Sequence, residues 1–487
     1  MRGCRAPAVY EPGEKTIPLE AGQFDLEIQG PAVVLHAWSL ENSLVRRIVG
    51  VLREDRTELV LAIRRLGKGE RWIEIRDLAR ARPDQKWQES RLAFRERFRR
   101  ILSREFGDFE IAQISAAHDL EHSLSPVYAR AFLTRGQQSC AALGLGEEAD
   151  PGAADHMLAF GLIWLDYLRA REPQRVVESL KLVLPRKRST VTANRLAFLD
   201  SARARCELYE YGPEGSLARV DEKNYGNLST KLDPAAAPLD PAPPAAEWID
   251  RLCGRFGVER VGAAGAGISL RLRGLEFARV SGSEMTFGLW DDRRPVTAAN
   301  YDRVERLAEQ LAAARSVEAR DKQDWLYRVA PERWLESLVR ANVTRVDSSL
   351  SSEPLYSQVP AVAGADRSII DLLAVDHAGR LAVLELKAAE DPHLPLQGLD
   401  YWMRVKWHLD RGEFQSQGYF RGIEISPRAP RLLLVAPAFD FHSTTETILR
   451  HFSPEIEVER VGLGLDWRRE LKVVFRARGA ARPGVGG

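Results

Sequence analysis

The period of the hydrophobic pattern changes several times along the chain, and each change predicts a different kind of element. Between Gln23 and Asp77, apolar runs such as Ala32-Val-Val-Leu35, Glu58-Leu-Val-Leu-Ala-Ile63 and Arg71-Trp-Ile-Glu-Ile75 alternate with turn chemistry at Glu54-Asp55 and Gly67-Lys-Gly69. That spacing predicts a β-rich opening domain. From about Gln85 to Phe106 the period becomes helical. Phe94, Phe98, Ile101 and Leu102 share one side, and Arg91, Arg95, Arg97, Arg99, Arg100 and Arg104 cover much of the rest. Two readings of this arginine-rich face stay open: a solvated surface, or nucleic-acid phosphate contacts made by residues such as Arg95 and Arg99.

Apolar strands and helices then alternate twice in a similar order. The first run has a strand at Phe109–Ile114 and a hairpin of Val127–Leu133 and Ser139–Leu143 around Gly136. It continues with helix Met157–Leu168, strand Leu180–Leu184, a helix opened by Ser189-Thr190, and strand Arg205–Tyr209. The second run has a helix opened by Pro331-Glu-Arg-Trp-Leu-Glu336, strand Tyr356–Val362 and a hairpin turning at His377-Ala-Gly379-Arg380. It closes with helix Gln397–Leu409, strand Arg431–Ala436, a helix opened by Ser443-Thr444, and strand Glu457–Val461. Strands apolar on both faces belong at the centre of a sheet covered by helices. The repetition suggests a duplicated α/β module, with two unrelated segments of similar order as the alternative. Between the runs, LDPAAAPLDPAPPAA at 232–246 reads as a semi-stiff linker. A smaller α+β module follows, with helix Trp248–Phe256, strands Ile268–Arg273 and Met285–Trp290, and helix Arg303–Ala313.

The chemistry concentrates in RSIIDLLAVDHAGRLAVLELKAAEDPHLPLQGLDYW. Side chains of a strand alternate faces, so Leu381, Val383, Glu385 and Lys387 share one side, as do Ile369, Asp371 and Leu373 on the preceding strand. Across the hairpin, Asp371 and Glu385 can converge. Three ionisable groups in so apolar a setting are costly unless they pair with each other or with a metal. On the next helix Gln397, Tyr401, Arg404 and His408 fall on one face, at i, i+4, i+7 and i+11.

Glu-x-Lys alone carries little weight, because a chain of this size holds about one or two by chance; Glu470-Leu471-Lys472 is one with no partner aspartate. The ordered set of Asp strand, turn, Glu-x-Lys strand and Gln-x-x-x-Tyr helix is more specific. It resembles the PD-(D/E)xK nuclease superfamily, in its RecB-type variant, over roughly the last third of the chain. The proline of that family's name is replaced by Ile370. The resemblance implies a restriction-endonuclease-like αβββαβ core and Mg2+ (or Mn2+) held by Asp371, Glu385 and the backbone carbonyl of Leu386. It implies further that Lys387 assists the attacking water, that Gln397 and Tyr401 support substrate or lysine, and that Glu336 is an additional acid. Arg404 and His408 are then candidate nucleic-acid contacts. DNA is expected ahead of RNA as substrate, and subunit pairing into a homodimer stays open. A non-catalytic nucleic-acid-binding or scaffolding protein on the same fold is the alternative. If Gly136 is laid on Gly379, the positions of Asp371, Glu385 and Lys387 fall on Tyr128, Ala142 and Gly144, so the first run would be a degenerate copy unable to hold metal.

A rival site is His118-Asp-Leu-Glu121-His122, the HxxEH pattern of a zinc peptidase, which requires both histidines on a stable helix and a third ligand.

The fold class is thus α/β and multidomain. The expected divisions are 1–84 (β-rich), 85–231 (α/β copy), 232–246 (linker), 247–325 (small α+β), 326–478 (nuclease-like) and 479–487 (disordered tail). At 487 residues the chain exceeds what one core supports. Its formal charge of +1 means that any nucleic-acid contact must come from local basic patches. Cys4, Cys140, Cys206 and Cys253 form no CxxC and read as free thiols. The first residues carry no apolar run like a signal peptide, and the run Met157–Leu165 is too short to span a bilayer. A cytoplasmic protein without membrane association is expected.

Overall fold

The computed structural model describes residues 7–11, 17–19, 24–29, 32–38, 43–54, 58–65, 69–77, 85–119, 121–221, 230–235, 241–263, 267–282, 284–289, 293–322, 324–363 and 366–481. Parts of the expected opening turns, of the Pro/Ala linker and of the tail, together with Trp290, lie outside them. The chain forms two compact units, each assembled from separated segments. One holds residues 1–82, 234–346 and 466–472; the other holds 83–233, 347–465 and 473–487. The opening strands and the middle α+β segment therefore share one unit, and helix Pro331–Ala341 belongs to it too. The two α/β runs share the other.

In the first unit, strands between Pro7 and Asp77 form a seven-stranded sheet, and strands between Glu259 and Pro295 form a five-stranded antiparallel one. Leu270, Phe277 and Val280 from the second sheet pack with Ile249, Leu252, Val304, Ala308 and Leu311 from the helices Ala245–Phe256 and Tyr301–Ala314.

In the second unit the first run consists of α1 (Gln85–Glu105), β1 (Glu110–Ser115), β2 (Tyr128–Arg135), β3 (Gln138–Leu145), α2 (Pro151–Arg171), β4 (Val176–Pro185), α3 (Thr190–Leu196), β5 (Arg205–Tyr211) and β6 (Leu217–Val220). Strand β7 (Thr230–Leu232) leads into the second run: β8 (Tyr356–Ala363), β9 (Asp366–Val375), β10 (Leu381–Leu386), α4 (Leu394–Asp410), β11 (Arg431–Pro437), α5 (Thr445–Leu449), β12 (Val458–Leu463) and β13 (Val473–Arg478). The sheets are laid out in sequence order, β1 to β6 and β7 to β13. From β1 in the first sheet and from β8 in the second, two antiparallel pairings are followed by two parallel ones and a final antiparallel one; β7 adds a further antiparallel strand at the edge beside β8. The two runs are repeats of one path.

The repeats also share a helix-on-sheet contact that needs a glycine. A Cβ on Gly161 of α2 would lie 2.9 Å from Leu182 and 3.0 Å from Leu180 in β4. One on Gly398 of α4 would lie 2.7 Å from Leu434 and 3.2 Å from Leu432 in β11. The other face of the first sheet packs Ala129, Ala131, Leu133, Cys140 and Ala142 against Phe98, Ile101 and Leu102 of α1.

The repeats meet through reciprocal contacts. Asp400 of α4 accepts two hydrogen bonds from Arg195 at the end of α3, at 2.9 and 2.6 Å. Asp166 of α2 accepts from Arg450, the residue that caps α5, at 2.9 Å. Asp200 N–H donates to His451 O and Ser453 N–H to Phe198 O, at 2.8 and 2.9 Å, around a β-bridge of Leu199 with Phe452. Such exchange of equivalent partners is the pattern of an isologous interface, here closed within one chain. Among the described residues, no helix is long and apolar enough to cross a membrane.

Candidate active site

In β10, Glu385 pairs with Leu434 and Val383 with Leu432, so the acid faces α4, whose Gly398 rests on those leucines. The β9–β10 register pairs Leu372 with Leu384, which puts Asp371 level with Glu385 one step further on. Asp371 is half-buried, and its Oδ2 accepts a hydrogen bond from Leu386 N–H at 3.0 Å. Glu385 is 2% exposed. Lys387, just past the strand end, is fastened by its own N–H donating to Val435 O at 3.0 Å. Its ammonium stands 3.8 Å from Glu385 Oε1 and 3.6 Å from Asp391 Oδ2.

Helix α4 roofs this group. Burial raises the Tyr401 hydroxyl pKa well above the usual phenol range, and the charges of Glu385 and then Asp371 raise it further. Tyr401 thus feels both carboxylates at once. Gln397, one turn earlier, is half-buried, with an enclosed Oε1 that has no hydrogen-bond partner among the described residues. Asp371, Glu385, Lys387 and Tyr401 are therefore brought to one place, with Gln397 one helical turn before Tyr401.

The donor set suits a hard divalent cation: two carboxylates, with the Leu386 carbonyl next in the chain. Among the described residues no group of three or more His, Cys, Asp and Glu side chains is poised around a common point. A cation held here would take its remaining oxygens from backbone, water or substrate, as Mg2+ commonly does.

Asp391 was not anticipated. It sits beside Lys387 and also accepts from His393 N–H at 2.7 Å, just ahead of α4. The sequence signal was the Asp391-Pro392 pair shortly ahead of a helix, an ordinary turn initiator. His393 in turn stacks on His156 of α2, with ring centroids 3.7 Å apart, so the first repeat reaches the rim of the group.

Several expected roles do not hold. His408 is 1% exposed, with Nε2 bonded to Thr230 Oγ1 and Nδ1 to Glu413. Burial lowers its pKa below the ordinary histidine value, and strand β7 covers the face on which it stands. It is a strut, not a nucleic-acid contact. Arg404 is likewise buried, at 8% exposure. Glu336 belongs to the unit of residues 1–82, 234–346 and 466–472, where its buried carboxylate is 3.8 Å from Arg271, and its part as a further acid stays an expectation. Arg95 and Arg99, by contrast, stay on the accessible side of α1, each reaching Glu96 of the same helix, at 2.8 and 3.4 Å; a surface pairing of this kind neither makes nor excludes a phosphate contact. His118 and His122 do not share a helix: residues 121–123 form a turn, Asp119 bridges to Leu124, and His122 Nδ1 binds Asp119. That geometry does not make an HxxEH zinc site.

The equivalence with the first repeat also shifts. Leu182 and Leu434 carry the same glycine contact, and their strand partners are Leu143 and Glu385. Leu143 pairs with Arg130. Asp371, Glu385 and Lys387 therefore correspond to Arg130, Leu143 and Leu145, not to Tyr128, Ala142 and Gly144. Ala142 points to α1, on the opposite face. Where the second repeat has its acids, Arg130 donates to Ser125 O at 2.6 Å and to Ala117 O, and stacks toward Trp164 of α2. The chain matches no protein-family model and no curated protein.

Proposed function

We propose that the second repeat is a Mg2+- or Mn2+-dependent nuclease centre of the PD-(D/E)xK type, hydrolysing phosphodiester bonds in DNA. The observation that carries this reading is the meeting of Asp371, Glu385 and Lys387 under Tyr401, with Asp371 and Lys387 only half-buried and so within reach of a substrate. Asp371 and Glu385 would hold the cation, with the Leu386 carbonyl beside them. When bound, the cation would acidify a water and neutralise charge on the phosphate. Lys387 would steady the attacking water or the growing negative charge as a compact cation. Asp391 would keep that ammonium in place, and Gln397 and Tyr401 would orient the substrate from above.

The second reading, a nucleic-acid-binding scaffold without turnover, is favoured by one observation. The first repeat keeps the same path with Arg130, Leu143 and Leu145 in place of the charged set, so the fold does not depend on catalysis. Full-length protein incubated with supercoiled, linear, flapped and single-stranded DNA, and with RNA, in Mg2+ or Mn2+ separates the two. Cleavage that disappears in Lys387→Ala with unfolding temperature unchanged supports the nuclease. Retention of DNA without cleavage in either metal supports the scaffold.

A further inference from the structure

In the first unit, three arginines from distant segments surround one indole. The guanidinium carbons of Arg315, Arg468 and Arg273 lie 4.7, 5.3 and 5.4 Å from the Trp334 ring centre. Arg468 also lies 5.3 Å from the Tyr327 ring and 4.4 Å from that of Trp467. Among the described residues, none of the three has a carboxylate at ion-pair distance. The nearby acid, Glu259, is occupied by Ser337 at 2.5 Å and Arg340 at 3.1 Å.

The three do different things. Arg315 is fully buried and donates to the carbonyls of Leu326, Val329 and Arg273, at 2.7, 2.8 and 3.0 Å. It clips together the segments that bear the other groups. Its guanidinium is pushed down to about 9, by burial first and then by the charges of Arg468 and Arg273. Arg273 and Arg468 are half-buried, and among the described residues their guanidinium groups make no hydrogen bond. Arg468 Nε, Arg315 Nε and Trp334 Nε1 are enclosed without a partner among them. The backbone is bent to suit: Arg273 and Ala330, on either side of the clip, both take positive φ, at 47° and 46°. Non-glycine residues hold that conformation only where their surroundings impose it, often at ligand clamps.

Buried cations without counter-charge are costly, and enclosed N–H groups without acceptors add to that cost. An anion carrying several oxygens removes both. Planar guanidinium forks match phosphate in particular, and the half-buried Tyr327 ring beside Arg468 offers an aromatic neighbour to a base. We infer that Arg273, Arg468 and the Trp334 indole N–H form an anion site for a phosphate group of a nucleotide or nucleic acid, with Arg315 as its positioning residue. The site belongs to the first unit and does not depend on the nuclease reading.

The test uses the full-length chain and its tryptophan fluorescence, titrated at low salt with inorganic phosphate, with a 5′-phosphorylated single-stranded oligonucleotide and with the same oligonucleotide lacking that phosphate. Wild type should bind at least one phosphate-bearing probe. Arg468→Ala should weaken that binding roughly tenfold or more, and Arg468→Lys by less, because the charge remains but the fork is lost. Competition by inorganic phosphate would assign the site to a free or terminal phosphate. Equal binding of both oligonucleotides without such competition would assign it to the nucleic-acid backbone. Absence of binding in wild type, or wild-type affinity in both Arg468→Ala and Arg273→Ala at unchanged unfolding temperature, would overturn the proposal.

Discussion

The two repeats follow one path and solve the same packing problem, yet they differ where chemistry would be done. Beneath α2 the hairpin presents Arg130, Leu143 and Leu145; beneath α4 it presents Asp371, Glu385 and Lys387. The first set is self-sufficient, with an apolar middle and an arginine that satisfies itself on loop carbonyls. The second sets a carboxylate of 2% exposure beside an ammonium and a second acid. Replacing a buried ion pair by apolar groups is often neutral or stabilising, so the architecture gains little from Glu385. Its presence is better explained by what it can bind.

The sharpest way to break this contrast is to make the second repeat resemble the first. Glu385→Leu should abolish cleavage, by about a hundredfold or more, with the fold intact, because the half-buried Lys387 keeps Asp391 as a partner. Full activity in that variant would end the nuclease assignment. In the same assay wild type should turn supercoiled plasmid into open circles before linear DNA accumulates, because only one repeat carries the charged set. Linear product from the outset would mean that two chains act together.

The reciprocal arginines give the next largest effect. Arg195–Asp400 is nearly enclosed, whereas Arg450 is half exposed. Arg195→Ala should therefore cost about 3–5 kcal/mol in denaturant unfolding, and Arg450→Ala under about 1 kcal/mol. Equal losses would contradict the asymmetry. Gly161→Ala and Gly398→Ala should each cost about 1 kcal/mol, since the leucine tips they meet can yield. Only the second should slow cleavage, because it tilts the helix that carries Gln397 and Tyr401. The smallest effect is that of His408. Its folded pKa lies below the ordinary 6.5, so as pH falls below 6.5 the unfolded chain gains a proton before the folded one does. Stability should decline over that range, and less so in His408→Gln, as thermal melts at pH 5 to 7 would show.

Much of this path was legible because long apolar strands alternate with helical periods, as in Leu180–Leu184 and Arg431–Ala436. The register of the first hairpin was not. Its turn spans two residues between Arg135 and Gln138, while the second spans five between Val375 and Leu381, so aligning the glycines slips the strands. Strands apolar on both faces give no alternation to reveal the error, and one residue of slip exchanges the faces. The fate of His408 was hidden for another reason. Helical spacing placed it beside Tyr401, but nothing in it foretold that Thr230, some 180 residues earlier, would close over that face. Asp371 and Glu385 were found because two strands and a tight turn are local geometry.

The division into interleaved segments bears on how the molecule can be made. The chain passes between its units at 82/83, 233/234, 346/347, 465/466 and 472/473. Strand β13, the outermost of the second repeat, follows the last of these crossings. Neither unit is complete until residues beyond 465 have left the ribosome, so neither can close on its N-terminal segment alone. A fragment ending at the Pro/Ala stretch would leave each unit without two of its three segments, and nascent chains stalled there should be prime clients for chaperones.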